Sequence, residues 1–271
     1  MKLYLIKIGG SVCTAKQKNK AKVQRGIVKQ ICSELTNAGI GQTFNAIIVH
    51  GAGSFGHSLV KHHRVNDGVK TEKQLAAARK IQQSVYGLNK EIVALLREEN
   101  IFAVGIKPHE ICMQKNKRLI SVNLAPIKKA LQCGLVPVLY GDMVPDETLG
   151  LSVMSGDALM PWLAVKFKPT AAFYGTDVAG VYSADPIKNR KAKLIMHVTR
   201  ANYLRLLKKA TGSSAIDVTG GMRGKLEKLS EIPPGVLTII FDARLKSNWR
   251  KLFAGTLEKC TVVQLYCAIL I

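Results

Sequence analysis

Short apolar runs alternate with amphipathic helical patterns along most of this chain, and that alternation narrows its possible folds more than any other feature. The runs fall at 3–8, 44–49, 101–106, 135–140, 171–174 and 236–241. Helical patterns fall at 20–37, 71–99, 125–133, 156–167, 199–209 and 245–253. Strands separated by helices predict βαβ units, which build a parallel sheet covered on both faces. The expected fold is α/β, a three-layer α/β/α sandwich with a mostly parallel central sheet. The 71–99 pattern carries Leu75, Ala78, Ile81, Val85, Leu88, Ile92 and Leu95 in steps of three and four, one stripe facing a core or another subunit. Pro145, Asp146 and Gly150 interrupt the apolar residues between 142 and 155 and predict a hairpin or flap. The basic stretch 185–193 predicts an exposed loop. No repeat or linker divides the 271 residues, so one domain is expected, with halves at about 1–150 and 151–271.

Two of the runs end in glycine turns. Ala46-Ile47-Ile48-Val49 leads into His50-Gly51-Ala52-Gly53-Ser54-Phe55-Gly56-His57. The run at 3–8 leads into Gly9-Gly10-Ser11, with Lys7 at its end. A strand that ends in such a turn lets backbone N–H groups approach an anion without interference from a Cβ. His57 is expected about two helical turns into the segment that follows. One turn with a lysine and one with a histidine predict two anionic groups held face to face, as phosphoryl transfer requires.

Other readings of these residues bound the answer. Gly51 to Gly56 also fits G-x-G-x-x-G, and Asp67 or Glu72 stands at about the distance of a ribose-binding carboxylate, though neither follows a convincing second strand. A nicotinamide-dependent dehydrogenase therefore stays open on that motif alone. An ordinary P-loop is excluded, because Gly224-Lys225 is followed by Leu226 and no glycine stands five positions before Gly224.

The net charge of +22 comes from 40 Lys and Arg against 18 Asp and Glu, with runs at 16–22, 188–193 and 205–209. It suits steering of anionic small substrates, nucleic-acid binding, or a lysine-rich surface without a dedicated partner. No nucleic-acid motif accompanies it and only 6% of residues are aromatic, which places nucleic acid last. No stretch reaches the roughly 20 apolar residues of a membrane span. The 3–8 run is broken by Lys7 and lacks a cleavage site, unlike a secretory signal, and the apolar end 265–271 is too short to span. Cys13, Cys32, Cys112, Cys133, Cys260 and Cys267 are scattered without a C-x-x-C pair, which predicts reduced thiols in a cytosolic protein. His50 is expected to be structural. His62 and His63 are expected on a solvated face rather than at a metal, since no matching Cys or carboxylate cluster accompanies them.

Further motifs decide between the readings. Tyr140-Gly141-Asp142 follows a strand, and Ser155-Gly156-Asp157 opens a helix. Thr176-Asp177-Val178-Ala179-Gly180-Val181-Tyr182 follows another strand, and Asp217-Val218-Thr219-Gly220-Gly221-Met222-Arg223-Gly224-Lys225 joins a glycine turn to a second lysine. In this order, after Lys7-Ile8-Gly9-Gly10-Ser11 and the 50–57 turn, they resemble the amino acid kinase superfamily and, within it, the isopentenyl phosphate kinases. The resemblance runs from 7 to 225. His57 is its more specific mark, and Ala52 stands where the family often has glycine.

The resemblance implies ATP-dependent phosphorylation of isopentenyl phosphate to isopentenyl diphosphate, in an alternative mevalonate route to isoprenoids. It implies Mg²⁺ with the ATP, mainly on phosphate and water, and a cytoplasmic homodimer with no nucleic-acid or membrane partner. A fosfomycin-like phosphonate or an acidic amino acid remains as an alternative acceptor. The N-terminal half would hold the acceptor and the C-terminal half the ATP. Lys7 and Lys225 would stabilise the moving phosphoryl group. Lys16 would lie near the same oxygens, or else belong to a solvated lysine run. Asp157 would orient the lysines, cap its helix, or do both. His57 would donate a hydrogen bond to the acceptor phosphate, beside Ala52, Gly53 and Gly156. Gly9, Gly10, Ser11, Gly53, Asp177, Tyr182 and Gly221 would surround the nucleotide with Lys7 and Lys225. Asp142 is left unassigned. Ile81, Val85 and Tyr86 are the expected wall for the apolar tail.

Overall fold

The computed structural model describes residues 1–17, 20–209 and 221–265, without the side chains of 16, 17, 20 and 209. In chain order, strand β1 (Lys2–Ile8) leads through α1 (Gly10–Cys13) into the hairpin β2 (Thr14–Gln17) and β3 (Lys20–Val23). Helix α2 (Arg25–Asn37), β4 (Phe44–His50), α3 (Gly53–His63) and the long α4 (Glu72–Glu98) follow. Then come β5 (Ala103–Gly105), α5 (Pro108–Ile111), β6 (Cys112–Lys115), β7 (Arg118–Val122), α6 (Ala125–Gln132) and β8 (Val136–Tyr140). A second hairpin, β9 (Asp142–Asp146) and β10 (Gly150–Met154), precedes α7 (Gly156–Phe167) and β11 (Ala171–Thr176). The chain closes with β12 (Val181–Tyr182), β13 (Leu194–Ile195), β14 (His197–Thr199), α8 (Arg200–Lys209), α9 (Gly221–Leu229), β15 (Leu237–Asp242), α10 (Asn248–Phe253) and β16 (Cys260–Gln264).

The main sheet runs β14-β16-β15-β11-β1-β4-β8-β5. From β15 to β5 every neighbouring pair is parallel; β16 joins β15 antiparallel. Alternation along the strands sends successive side chains to opposite faces. Ile6, Ile8 and Ile48 pack with α2, α4 and α10 on one side. Leu5, Ile47, Val49 and Leu139 pack with α6, α7, α8 and α9 on the other. The expected three layers are present. A smaller sheet, β10-β9-β6-β7, lies beyond α3 and α4. There Met143 joins Val60, Val65, Ala77, Ala78 and Ile81 in a separate apolar cluster.

Two expected helices start late, for identifiable reasons. Residues 20–23 were expected in a helix but form β3, pairing antiparallel with β2. Gln24 ends the strand: its N–H donates to Cys13 O at 2.9 Å. Its side-chain Nε2 donates to Ser11, Val12 and Thr14 carbonyls at 3.0–3.1 Å, so α2 starts only at Arg25. The expected helix from 245 begins at Asn248, after Ser247 at φ +70°. Glu34 of α2 accepts hydrogen bonds from the Ser247, Trp249 and Arg250 N–H groups, satisfying the free donors of that helix end. The hairpin expected at 142–155 is β9–β10, and the 185–193 stretch is largely exposed.

Candidate active site

The site forms where β1, β4, β8 and β11 end, beside the point between β1 and β11 from which the chain runs on to β4 on one side and to β15 on the other. Open α/β sheets bind ligands at such crevices. Lys7 pairs in register with Val49 on one side and Tyr174 on the other. It therefore faces the layer that contains α7 and α9. Lys7 Nζ lies 2.7 Å from Asp157 Oδ2, and Lys225 Nζ lies 3.0 Å from Asp157 Oδ1. One carboxylate holds two ammonium groups side by side. Burial pushes the Lys7 pKa down to about 8 against the pull of Asp157, with Lys225 adding repulsion. Burial would raise the Asp157 carboxyl, but Lys225 and Lys7 hold it well below the usual range. The cap of α7 is Ser155, whose Oγ accepts from Ala158 N at 3.2 Å. Asp157 in the first turn is thus left to the lysines.

The two glycine turns touch. A Cβ on Gly10 would come within 2.6 Å of Gly53 N, and one on Gly51 within 2.5 Å of Gly10 N, so only glycine permits this approach. Gly9 N donates to Gly175 O at 2.8 Å, which ties the β1 turn to β11. Gly53 opens α3 at φ +48°. The Ala52 methyl lies against Gly56, where an added Cβ would come within 2.7 Å of it. Gly156 stacks on the Lys7 stem, since a Cβ there would stand 3.4 Å from Lys7 Cε. His57 sits four residues after Gly53, on the same face of α3 and one turn in rather than the expected two. It is half-buried.

His50 is structural, as expected. It is fully buried, its ring bonds Gly51 O at 3.1 Å and Asn89 Nδ2 at 3.2 Å, and burial pushes its pKa down to about 4, leaving it neutral. Asp142 is buried and held 2.7 Å from His109 Nδ1. Lys16 lies on β2, but its side chain falls outside the described residues, as do residues 217–220 of the last motif. From Gly221 that motif is α9, which delivers Lys225. Ser11 is half-buried in α1, beside the Gly9–Gly10 turn. Asp177 follows β11, and its carbonyl accepts from Arg244 Nη2 at 2.5 Å; Tyr182 pairs with Leu194 one turn further on. Both lie on the β11 side of the crevice.

Two site residues escape the sequence reading. Tyr174, buried beneath Lys225 with its ring centre 5.7 Å from Nζ, leaves its hydroxyl without a hydrogen-bond partner among the described residues. Thr14 donates from Oγ1 to Gly10 O at 2.7 Å. The only signal for Thr14 was its place four residues after a glycine, from which a hydroxyl can reach back to the i−4 carbonyl.

A parallel sheet whose central strands end in touching glycine turns, with two lysines on one carboxylate, suits the handling of two phosphates. Residues 2–232 match the amino acid kinase family, and the chain belongs to that family. It is 33% identical to the isopentenyl phosphate kinase of Methanothermobacter thermautotrophicus, over 93% of this chain and 96% of that one. It is 30% identical to the isopentenyl phosphate kinase of Methanocaldococcus jannaschii, over 94% and 96%. A solved isopentenyl phosphate kinase structure superposes with TM-score 0.80 at 30% identity, covering 97% of this chain and 99% of that one. Within the amino acid kinases, the chain falls in the isopentenyl phosphate kinase family.

Proposed function

We propose that this chain transfers the γ-phosphoryl group of ATP to isopentenyl phosphate, giving isopentenyl diphosphate and ADP. The observation that carries the reading is the Lys7–Asp157–Lys225 cluster set against two touching glycine turns. The acceptor phosphate has a second pKa of about 6, so it attacks as an anion and needs no general base. One of its oxygens bonds to Pγ while the bond from Pγ to the β–γ bridging oxygen breaks, and ADP leaves with that electron pair. The barrier lies in bringing two anions together, so charge neutralisation and in-line alignment supply the catalysis. Lys7 and Lys225 offset the charge on the moving group, and Asp157 keeps both ammonium groups aimed at one point. Lys16 on the β2–β3 hairpin is the further cation of this set.

We assign the acceptor phosphate to the α3 start, with Ala52, Gly53, Gly156 and an N–H of His57. The nucleotide is assigned to Gly9, Gly10, Ser11, Gly53, Asp177, Tyr182 and Gly221. One domain then works as two halves, acceptor to about residue 150 and ATP beyond. Mg²⁺ fits as a companion of ATP, held by phosphate oxygens and water, because both Asp157 oxygens are already taken by ammonium groups.

The apolar tail is assigned to the space between α3, α4 and the β9–β10 hairpin. Two facts support this. Ile81 belongs to the small cluster with Val60 and Met143 rather than to the main core. Val85 packs against the His57 turn, 3.5 Å from where a Cβ of Gly56 would stand. Tyr86 borders this region between Lys90 and Lys107, each 5.2 Å from its ring centre.

A homodimer in the cytoplasm is part of the same proposal. Cys13, Cys32, Cys112, Cys133 and Cys260 are free thiols, and no described helix is long and apolar enough to cross a membrane. Light scattering tests the dimer by a mass twice that of the chain.

Coupled ADP release with isopentenyl phosphate, dimethylallyl phosphate, fosfomycin and glutamate tests the activity. Turnover is expected with isopentenyl phosphate and also with dimethylallyl phosphate, since an apolar pocket discriminates weakly, by roughly 1–3 kcal/mol per methylene. His57→Ala should cost about 2–4 kcal/mol of transition-state stabilisation, by analogy with lost oxyanion donors. A folded variant with wild-type kcat/KM would remove His57 from the site.

A further inference from the structure

Thr14, 3% exposed, joins the two substrate turns by short hydroxyl hydrogen bonds, where the neighbouring Cys13 Sγ spans Gly10 O and Gly51 O only at 3.8 and 3.7 Å. Its hydroxyl donates to Gly10 O at 2.7 Å on the β1 turn and accepts from Ser54 N at 3.0 Å in the first turn of α3. There is no slack in this contact, since a Cβ on Gly53 would fall 2.2 Å from Thr14 Oγ1. The same residue opens the β2–β3 hairpin that carries Lys16, and Gln24 Nε2 holds its carbonyl at 3.0 Å. One residue therefore touches the nucleotide-side turn and the acceptor-side helix through its hydroxyl and roots the lysine-bearing hairpin through its backbone. Both its proton and a lone pair are used, so its removal strands a donor and an acceptor in a dry place.

We propose that Thr14 is a positioning residue of phosphoryl transfer, fixing the start of α3, and with it the acceptor phosphate, relative to the turn that faces ATP. The inference rests on the acceptor and nucleotide assignments above. Adjacent strands set the coarse spacing of the two turns, and the hydroxyl sets the remaining ångström or so. In-line attack needs reacting atoms about 3–3.5 Å apart, and a displacement of about 1 Å costs on the order of 100-fold in rate. Each substrate would still bind its own turn when Thr14 is lost, so the defect belongs in kcat rather than KM. A misplaced acceptor also leaves water to compete. Its oxygen then bonds to Pγ as the bridging bond breaks, releasing ADP, inorganic phosphate and a proton.

The test compares Thr14→Val, which keeps the shape and removes the hydroxyl, with Thr14→Ser, which keeps the hydroxyl. The measurements are kcat, both KM values, isopentenyl phosphate binding by calorimetry, and ADP released per isopentenyl diphosphate formed. Thr14→Val should lower kcat on the order of 100-fold, with KM and acceptor Kd within about threefold and an ADP-to-product ratio above that of the wild type. Thr14→Ser should stay within about fivefold of wild-type kcat with the wild-type ratio. The proposal is overturned if Thr14→Val keeps wild-type kcat, if its loss lies wholly in KM, or if serine is as slow as valine. Should Thr14→Val not fold, Thr14→Ala takes its place; failure of both assigns Thr14 to folding alone and also overturns the proposal. A wild-type enzyme that makes no isopentenyl diphosphate would instead refute the underlying activity, an outcome read before any variant is made.

Discussion

Half-buried Asp157 and buried Asp146 are both carboxylates held below their usual range, and they are built in opposite ways. Asp157, at the strand ends, is held by two lysine side chains. Asp146, in the outlying sheet, is held mostly by backbone. Its oxygens accept from the N–H groups of Asn116, Lys117, Thr148 and Leu149 at 2.8–3.1 Å and from Ser152 Oγ at 2.7 Å. Those bonds fasten the β6–β7 turn to the β9–β10 turn. Burial alone would raise its pKa; the Lys117 N–H, the Ser152 hydroxyl and the Thr148 and Leu149 N–H groups bring it down to about 2. A depressed carboxylate is therefore no diagnosis of chemistry by itself. Partners that can re-aim at a substrate mark a working site, and partners fixed in the main chain mark a fastening.

That contrast can be broken by substitution. Lys7→Met or Lys225→Met should lower kcat on the order of 100- to 1,000-fold, the scale of a lost oxyanion partner, because the charge they offset peaks during transfer. Steady-state rates beside thermal melts check this, and a kcat within tenfold of wild type would make Asp157 a fastening too. A pH profile sharpens the same point. Lys7 must carry its charge and loses it near pH 8. Hence kcat/KM should fall as pH rises through about 8, approaching tenfold per unit. A profile that stays flat to about pH 9.5 would contradict it.

Asp146 should behave in the opposite sense. Its folded pKa of about 2 lies below the ordinary aspartate value of 3.8. Its contribution is therefore fully present above the unfolded value and is lost as pH falls through about 2. The shift corresponds to about 2 kcal/mol. Asp146→Asn should remove a stability of that order at pH 7 while leaving kcat per folded molecule within about twofold. Urea melts of wild type and variant should converge toward pH 2. A variant with wild-type stability but poor turnover would reverse the assignment of the two carboxylates.

What was legible in the sequence follows the range of the interactions involved. β1, β4, β8, β11 and α7 could be read because apolar runs and glycine punctuation are local signals. Lys7 could be read from its place at a strand end beside a glycine turn, whereas Asp157 and Lys225 could be named only because their motifs resemble those of the amino acid kinases. Strand β3 falls in a stretch expected as helix because Lys20-Ala21-Lys22-Val23 is short and lysine-rich, and its partner strand and Gln24 decide the matter from outside. The β6–β7 hairpin was missed because its register is set by Asp146, about thirty residues downstream in sequence. The stripe on α4 was read as one face. In fact Leu88, Ile92 and Leu95 enter the main core, while Ala78 and Ile81 serve the smaller cluster. Periodicity gives a face but not what lies against it.

The contact of Gly10 with Gly53 also limits how such an enzyme can change. The atoms in the way are backbone N and Cα, so no neighbouring side chain can yield to a larger residue at position 10. The turns stand on adjacent strands, and the separation of the two substrate loops is inherited from the inter-strand repeat of about 4.8 Å. The sheet thus acts as a ruler for the reaction. New acceptors can be adopted by resculpting the walls beyond α3. An acceptor that needs a different gap between donor and nucleophile lies out of reach of point substitution.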